Sequence, residues 1–215
     1  MKNKHIPYGP YEKYFKRPLD IFCGLAAVIV FSWLYLILIV LGTIFMRGNP
    51  FFTQKRPGKD EKIFKLIKFR TMDNRKDKDG NLLPDEIRLN KYGRFLRSTS
   101  LDELPEAFNI IKGDMSVIGP RPLLVQYLPR YNAQQRRRHE VRPGLSGYAQ
   151  VHGRNTVSWQ DKFRMDVEYV DHITFLGDLK IIWDSVMAAF VKRDGISSET
   201  SATMEEFLGN EIETK

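Results

Sequence analysis

An uninterrupted apolar run near the N-terminus dominates the hydropathy pattern. Residues 21–45, about 25 positions, carry no charged side chain, which is long enough for a helix to cross or enter a bilayer. The run is too long for the hydrophobic region of a signal peptide, and it lacks a small-residue cleavage site. A buried helix of a soluble protein is the alternative, but the length argues against it. The pattern therefore predicts a membrane-anchoring helix.

This helix either spans the bilayer with a short tail outside or enters and returns to the same face as a re-entrant hairpin. Lysines and arginines lie on both sides of the run, so the positive-inside rule does not decide the topology. Trp33 and Tyr35 lie in mid-run, where a straight span disfavours them, and Ser32 can bond a carbonyl freed at a bend. These features favour the re-entrant form.

Shorter periodic patterns follow the anchor. Residues 51–54 and 62–72 predict strands, and in the second, basic and apolar residues alternate at period two. The glycine-rich residues 142–153 also favour a strand. Helical patterns cover residues 86–95, a segment that begins near residue 100, and residues 123–140, 159–170 and 176–192. The last helix carries an apolar stripe, typical of a core or a membrane-facing surface, at Leu179, Trp183, Val186 and Phe190.

These elements predict a helix-rich α+β fold. We expect a compact cytoplasmic domain with a membrane-embedded, re-entrant N-terminal helix and amphipathic interfacial helices. The expected boundaries are an anchor over residues 1–47, one main domain over 48–195 and a polar C-terminal tail over 196–215.

The charge balance points to anionic partners. Lys and Arg number 34 against 26 Asp and Glu, a formal net charge of +8. Such a balance suits phosphates, nucleotides, nucleic acid or an acidic membrane surface. Cys23 is the only cysteine, so the chain forms no intrachain disulfide and no cysteine-based metal site, and a reducing compartment fits.

Residues 100–105, with the sequence SLDELP, carry the strongest chemical signal. In one interpretation, Ser100 and Glu103 form a capping box and Asp102 complements the helix dipole. In the other, the adjacent carboxylates lie where free backbone amides attract phosphate, and Asp102 acts as a nucleophile towards phosphorus. Glu103 then serves as an acid, a base or a group that shapes the site. The residues alone leave both interpretations open.

Several cations accompany this segment and could hold a diphosphate. Arginine suits bidentate phosphate contacts, although any single cation is more often a solvated surface charge. Arg121 stands out because Pro120 and Pro122 stiffen the backbone on both of its sides. The cations are Lys68, Arg70, Arg94, Arg97 and Arg121.

Two other groups each have a functional and a structural interpretation. Gly144, Gly147 and Gly153 either permit close backbone approach to a ligand or form turns. The arginines at residues 136–138 either contact anionic lipid headgroups or form a solvated charge run.

Together, the sequence blocks resemble those of the monotopic phosphoglycosyl transferases, the bacterial sugar transferase family. Within it, the chain is most similar to the small single-domain enzymes typified by bacillosamine-phosphate transferase. No block is decisive alone, but their joint occurrence in this order, from the anchor to about residue 192, is highly specific. The blocks are FTQ at 52–54, RPG at 56–58, KFRTM at 68–72, RSTSLDEL at 97–104, GDMS at 113–116, GPRPL at 119–123, RPGLSG at 142–147 and QVHGRN at 150–155.

The resemblance implies a reaction. Family members transfer a C1-phosphosugar from a UDP-sugar to polyprenyl (undecaprenyl) phosphate with Mg²⁺ and release UMP, as the first membrane step of glycoconjugate assembly. It also implies the bacterial inner membrane, with the catalytic domain, here residues 48–195, on the cytoplasmic face. Similarity to bacillosamine-type enzymes implies a modified N-acetylhexosamine. Membrane lipids are expected partners, and nucleic acid is not.

The resemblance also implies residue roles. Asp102 attacks the β-phosphate and forms a covalent phosphosugar–aspartyl intermediate, and Glu103 is its acid/base or positioning partner. Asp102 is also the best protein ligand for Mg²⁺, which prefers carboxylate and phosphate oxygens. The implied substrate-binding residues are Lys68, Arg97, Arg121 and Asp166.

One position departs from the family pattern. The re-entrant helix of the family commonly bends at a Ser-Pro pair, and here Ser32 is followed by Trp33. Without proline, the hydrogen-bond loss that forces a kink is missing, so the bend rests on Ser32, the flanking cations and analogy.

Two other functions fit the residues taken alone. One is a membrane-tethered protein that binds anionic lipid or nucleic acid without catalysis, for which Asp102→Asn is harmless and binding falls steeply with salt. The other is a membrane-bound phosphohydrolase that passes the intermediate to water.

Overall fold

The computed structural model describes residues 5–152, 157–191 and 206–209 of the chain. Its helices are α1 (Lys16–Val30), α2 (Ser32–Phe45), α3 (Asp85–Arg88), α4 (Lys91–Thr99), α5 (Glu106–Lys112), α6 (Ala133–Arg136), α7 (Tyr148–His152), α8 (Trp159–Asp171) and α9 (Phe175–Val191). Its strands are β1 (Phe51–Pro57), β2 (Ile63–Phe69), β3 (Ser116–Ile118) and β4 (Gly144–Ser146). The prediction of a helix-rich α+β fold is confirmed.

The apolar run forms two helices that meet at a bend. Helices α1 and α2 are separated by Phe31, whose ψ of 13° departs from the helical value, and their axes turn by 65°. The Phe31 amide still donates to Ala27 O at 3.0 Å, so the bend forms without a proline. Among the described residues, no single helix is long and apolar enough to cross a membrane, and only this bent pair reaches the required length and composition together.

Hydrogen bonds of two polar side chains hold the first half of α1 against the main domain. The Arg17 guanidinium donates to the carbonyl oxygens of Ile110 and Ile111 at 2.7 and 3.0 Å, at the C-terminal end of α5. The buried Asp20 carboxylate accepts from Ser116 Oγ and from the Val117 amide, both at 2.9 Å. These contacts anchor α1 beside α5 and β3, so the start of the bent pair is held against the domain.

The second half of the pair continues into the main core. Tyr35 and Leu38 on α2 are buried with Phe69 at the end of β2 and with Tyr92 and Leu96 on α4. Two phenol hydroxyls complete this packing: Tyr35 donates to Leu104 O at 2.5 Å, and Tyr92 to Leu38 O at 3.0 Å. Tyr35 is therefore a core residue, which explains its place in mid-run.

Two small sheets carry the strands. In the antiparallel hairpin, Phe51 on β1 is paired with Phe69 on β2. In the parallel pair, Ser116 on β3 is opposite Gly144 on β4. A Cβ on Gly144 would lie 2.1 Å from the Gly119 amide nitrogen, so glycine is required for this approach of two backbones. The chain itself, rather than a ligand, occupies the space that Gly144 leaves open.

The helix predicted over residues 123–140 is wrong as a single element. The structure has a 3-10 turn at Val125–Arg130, then α6, then a second 3-10 turn at Arg137–His139. Pro129 has no amide to donate, and Asn132 forms a capping box with Gln135 that begins a new helix.

Two other predictions change at their boundaries. Residues 86–95 divide between α3 and α4 because the Asn90 side chain caps α4 through the Gly93 amide. The strand predicted through residue 153 stops at Ser146, and Gly147 O accepts the amides that begin α7. Gly153, Arg154 and Asn155, the last three residues of the QVHGRN block, lie outside the described residues. The strand at 62–72 and the helices at 159–170 and 176–192 are confirmed within a few residues.

Helix α9 presents its apolar stripe outward. Leu179, Trp183 and Val186 are all exposed, so within the part of α9 whose side chains are described the stripe is surface and not core. The side chain of Phe190 lies outside that part. On α2, Trp33 and Leu36 are likewise exposed. The molecule thus carries apolar surfaces on both the bent pair and α9.

Candidate active site

The two carboxylates of the SLDELP segment lie in a short turn between α4 and α5. Ser100 ends α4 with a left-handed backbone, φ 55° and ψ 17°, and Leu101–Glu103 form one 3-10 turn. The Ser100 side chain makes no capping bond. The capping-box interpretation is therefore wrong here, since the Glu103 side chain is used elsewhere.

Glu103 is held by two cations. Its Oε1 accepts from Lys68 Nζ at 2.7 Å and from Arg121 Nη2 at 3.1 Å. Lys68 also lies 3.1 Å from Glu106 Oε1, at the start of α5. The side chains of Lys68, Glu103 and Glu106 are 17%, 19% and 5% exposed, so this cluster is largely shielded from water. We call Lys68, Glu103, Glu106 and Arg121 the ion-pair cluster.

The hairpin and the loop after β3 position the two cations. The Lys68 backbone is paired with Phe52 in the β1–β2 register, one residue before the buried Phe69. The Arg121 carbonyl oxygen accepts a hydrogen bond from Arg138 Nη2 at 2.7 Å, and this bond holds the backbone of the loop in place. The Arg121 side chain remains 45% exposed, so its guanidinium faces both Glu103 and open solvent.

Asp102 differs from its neighbour. In the described part of the chain, its carboxylate forms no hydrogen bond or ion pair with another side chain, and its own backbone amide is its hydrogen-bond partner. Burial raises the pKa of Asp102, the charge of Glu103 adds to this, and Lys68 and Arg97 oppose it. The result is a carboxylate with uncommitted oxygens beside a set of cations.

The other two carboxylates titrate in opposite directions. Burial alone raises the pKa of Glu103, but the charges and hydrogen bonds of Arg121 and Lys68 outweigh it and hold that pKa below its usual value. Burial raises the pKa of Glu106 to about 7, and Glu103 adds to the rise while Lys68 opposes it. Glu103 is therefore the ionised partner of the cations, and Glu106 exchanges its proton near neutrality.

Sequence reasoning missed Glu106. Its signal was present, because it follows Glu103 by three residues across Pro105, and residues at that spacing share one side of a helical turn. Arg56 was also missed as an individual residue. Its guanidinium donates to Gln54 Oε1 at 2.7 Å and to Pro122 O at 3.3 Å, and both burial and the nearby Arg121 lower its pKa. It adds a further cation beside Arg121.

Arg97 and Asp166 lie outside the ion-pair cluster. Arg97, in the last turn of α4, donates through Nε to Thr71 Oγ1 at 3.0 Å, and its charge acts on Asp102. Asp166 on α8 is 4% exposed and pairs with Arg138 at 2.9 and 2.7 Å. Arg97 therefore lies at the edge of the site, near Asp102. Asp166 does not contact the cluster directly. It binds Arg138, which in turn binds the Arg121 carbonyl.

The remaining cations named from the sequence have partners in the protein. Arg70 donates to Phe51 O at 3.3 Å, and Arg94 to Leu89 O at 3.0 Å. Within the 136–138 run, Arg136 pairs with Glu61 at 2.7 Å, Arg137 with Asp171, and Arg138 with Asp166. Each arginine of this run therefore forms an intramolecular ion pair, and Arg138 is buried while Arg136 and Arg137 are partly exposed.

The donor atoms at the site fit a magnesium ion that is shared with substrate. No group of three or more His, Cys, Asp or Glu side chains suited to a metal occurs in the ranges described. Mg²⁺ is often held by one or two carboxylates together with substrate phosphates. Asp102, with its uncommitted oxygens, is the carboxylate that can take this part.

Comparisons with known proteins show which family the chain resembles. The bacterial sugar transferase family model matches residues 11–192. EpsL of Bacillus subtilis, an uncharacterized sugar transferase, is 52% identical over 164 residues, which are 76% of this chain and 81% of EpsL. A UDP-glucose:undecaprenyl-phosphate glucose-1-phosphate transferase of Klebsiella pneumoniae is 36% identical over 198 residues, 87% of this chain and 42% of that enzyme.

A third relative acts on a different sugar. The UDP-N-acetylgalactosamine-undecaprenyl-phosphate N-acetylgalactosaminephosphotransferase of Aeromonas hydrophila is 33% identical over 186 residues, 83% of this chain and 44% of that enzyme. The chain thus spans most of EpsL but less than half of the other two relatives.

At the candidate site, cations surround a pair of adjacent carboxylates. The family match extends over most of the chain, from before α1 to the end of α9. The chain belongs to the bacterial sugar transferase family.

Proposed function

We propose that this protein transfers a C1-phosphosugar from a UDP-sugar to polyprenyl phosphate and releases UMP. The activities for which the Klebsiella and Aeromonas relatives are named support this reaction class. We further propose a modified N-acetylhexosamine as the sugar, by the resemblance to bacillosamine-type enzymes. The reaction would be the first membrane step of a glycoconjugate pathway.

The contrast between Asp102 and Glu103 carries the proposal. A nucleophile should not already be engaged by other side chains. The carboxylate of Asp102 has no side-chain partner, whereas that of Glu103 accepts from both Lys68 and Arg121 through Oε1. An ionised oxygen of Asp102 attacks the β-phosphorus of the UDP-sugar. The bond between that phosphorus and the oxygen bridging to the α-phosphate breaks, and UMP leaves with the bridging oxygen.

The second step returns Asp102 to its starting state. A phosphate oxygen of polyprenyl phosphate attacks the phosphorus of the aspartyl intermediate. The bond between phosphorus and the Asp102 oxygen breaks, which yields polyprenyl diphosphate sugar and a free carboxylate. Phosphoryl transfer of this kind depends on positioning and charge stabilisation more than on proton transfer.

The cations stabilise the charge that builds on the phosphates. Arg121 is half exposed, so it reaches a bound diphosphate while its Nη2 stays on Glu103. Lys68 supplies a second positive charge from the shielded side, and Arg97 borders Asp102 from α4. Glu103 positions both cations of the cluster, and Asp166 acts through Arg138 on the Arg121 backbone.

Magnesium is proposed as the cofactor. When bound, it would offset phosphate charge, with Asp102 and substrate oxygens as its ligands. Asp102 would hold the metal through one carboxylate oxygen and keep the other for attack on phosphorus. Glu103 is engaged by Lys68 and Arg121, so it is the poorer ligand of the two carboxylates.

We also propose that the bent helix pair is embedded in the inner membrane as a re-entrant hairpin, with the catalytic domain on the cytoplasmic face. The bend of 65° at Phe31 returns the chain to the domain, where Arg17 and Tyr35 fix its two arms. The exposed apolar stripe of α9 lies at the interface. This placement brings the site to the surface where the phosphate head of a lipid acceptor lies.

UMP release from a panel of UDP-sugars, with polyprenyl phosphate and Mg²⁺, tests the proposed function. Wild-type protein should release UMP over many turnovers only when the lipid is present, and without the lipid it should stop at one equivalent per enzyme. The Asp102→Asn variant should release none in either case. Sustained UMP release beyond one equivalent without the lipid would instead indicate a phosphohydrolase. A folded wild-type protein that releases no UMP from any sugar would rule out the transferase assignment.

A further inference from the structure

Glu106 is a third carboxylate beside the two of the proposed reaction, and no step described so far uses it. It is 3% exposed at the start of α5, and its Oε1 lies 3.1 Å from Lys68 Nζ. The same ammonium is 2.7 Å from Glu103. Lys68 is therefore shared between two carboxylates, only one of which also has Arg121.

The charges around Glu106 come from each element that surrounds it. Strand β2 contributes Lys68, the 3-10 turn contributes Glu103, and the loop after β3 contributes Arg121. Strand β1 contributes Arg56, whose own ionisation is favoured by the charge of Glu106. From α1, Arg17 binds the opposite end of α5 and does not face Glu106.

This arrangement makes the charge of Glu106 matter to an anionic ligand. With all groups ionised, Asp102, Glu103 and Glu106 supply three negative charges among the four positive charges of Lys68, Arg121, Arg56 and Arg97. A diphosphate brings further negative charge into this partly shielded site, where like charges repel strongly. Of the three carboxylates, Glu106 is the one best able to become neutral, since it is the most buried and lacks a guanidinium partner.

We propose that Glu106 is a positioning residue that holds Lys68 in the site until a diphosphate binds, and that it then takes up a proton from solvent and releases Lys68 to the phosphates. The inference rests on the proposed function, because it takes the ligand to be the diphosphate of a nucleotide sugar. Proton uptake converts the Glu106 carboxylate to a neutral acid, so one negative charge leaves the site as the ligand enters. Ligand affinity therefore falls as the pH rises and Glu106 ionises, in agreement with the pKa of about 7 that burial produces.

Titration calorimetry with UDP-glucose tests this proposal. The diphosphate of UDP-glucose does not titrate near neutrality, and an Asp102→Asn background prevents turnover. In that background, affinity should fall about tenfold between about pH 6 and pH 8.5, and binding should take up a fraction of a proton at neutral pH. Adding Glu106→Gln should abolish both the pH dependence and the proton uptake. The matched control Glu61→Gln, at a carboxylate paired with Arg136, should leave both unchanged.

The outcomes distinguish a failure of the role proposed for Glu106 from a failure of the proposed function. Binding with the same pH dependence in the Glu106→Gln protein would overturn the role of Glu106 and leave the proposed function intact. Failure of UDP-glucose and of every other UDP-sugar in the panel to bind at either pH would overturn both. If the Gln variant melts below the assay temperature, Glu106→Met replaces it, because methionine fills the same buried space without a charge. A lower melting temperature with an unchanged pH profile would mean that Glu106 is only structural.

Discussion

Lys68 and Glu103 are 35 residues apart in the sequence, and their side chains meet at 2.7 Å. The pair joins the β1–β2 hairpin to the turn before α5, so the site exists only when these two elements pack. Because Lys68 also neutralises the buried Glu106, one cation supports two shielded carboxylates. Stability and chemistry are coupled at this position.

Replacing Lys68 with methionine should therefore destabilise the protein as well as inactivate it. Removing one partner of a buried ion pair leaves an uncompensated charge, which costs about 3 kcal/mol or more. Thermal unfolding should show a melting temperature lower by roughly 6 °C or more. The control Lys112→Met removes a lysine that is 71% exposed and pairs with Asp114 at 3.0 Å, and its melting temperature should change little. Equal losses in the two variants would contradict the special role of Lys68.

Asp102→Asn should remove the covalent intermediate without unfolding the protein. An amide is a poor nucleophile, so we expect UMP release to fall by roughly 10³-fold or more. Intact-protein mass spectrometry of the wild type, quenched with a UDP-sugar but no lipid, should detect the phosphosugar adduct, and the variant should lack it. Asp85→Asn, on the exposed α3, is the matched control and should keep the adduct. An adduct of undiminished yield in Asp102→Asn would assign the nucleophile to another residue.

The pH dependence of stability should report Glu106. Its pKa is raised from 4.5 to about 7 by burial, so between these values the folded protein binds more protons than the unfolded chain. The free energy of unfolding contributed by this group is greatest below about pH 4.5 and declines as the pH rises towards 7. Melting curves of Glu106→Gln should lack this part of the decline, and the difference from wild type should level off above pH 7. If the free energy of unfolding of wild type minus that of Glu106→Gln instead decreased as the pH fell from 7, the raised pKa would be contradicted.

The chemical core of the site could be predicted from local sequence. Period-two alternation in residues 62–72 predicted a strand with a cationic face, and the structure places Lys68 on β2. The adjacent Asp102 and Glu103 follow from the SLDELP segment alone. Local patterns succeed here because strand alternation and turn chemistry are set by neighbours in sequence.

The remainder depends on contacts between distant segments. No local rule states that Glu103 leaves its own turn for Lys68 and Arg121, or that Glu106 shares that lysine. Pro129 signals a helix break in the sequence, but the hydrophobic periodicity on both sides of it predicted one continuous helix. Which of several cations reaches a site is decided by tertiary packing, and local sequence carries little of that information.

The ion pair of Asp166 and Arg138 tests whether a residue outside the cluster affects substrate binding through Arg121. Both side chains are almost completely buried, and Arg138 also holds the Arg121 carbonyl. Asp166→Asn leaves the Arg138 charge without a counter-ion, so we expect a loss of about 3 kcal/mol in the free energy of unfolding and a raised KM through a displaced Arg121. Asp161→Asn, on the same helix but exposed and paired with Arg164, is the control. A raised KM with an unchanged melting temperature would instead favour direct substrate contact by Asp166.

The proposed embedding of the bent pair predicts which surface residues govern membrane binding. Leu36 on α2 and Leu82 in the loop before α3 are both exposed leucines, but only Leu36 belongs to the apolar pair. A lysine in the hydrocarbon region costs about 2.5–3.5 kcal/mol, so Leu36→Lys should weaken partition into vesicles by roughly 100-fold, whereas Leu82→Lys should not. Co-sedimentation with liposomes measures this difference.

The topology of the pair has its own test, because Cys23 is the only cysteine. In a Cys23→Ser background, Ile6→Cys places a single thiol at an exposed position before α1. A re-entrant pair keeps that thiol on the cytoplasmic side, so an impermeant maleimide should label it in inverted membrane vesicles and not in intact spheroplasts. Leu82→Cys, on the catalytic domain, should behave identically. Labelling of the Ile6→Cys protein in spheroplasts, with Leu82→Cys protected, would mean that the helix pair spans the membrane despite its bend.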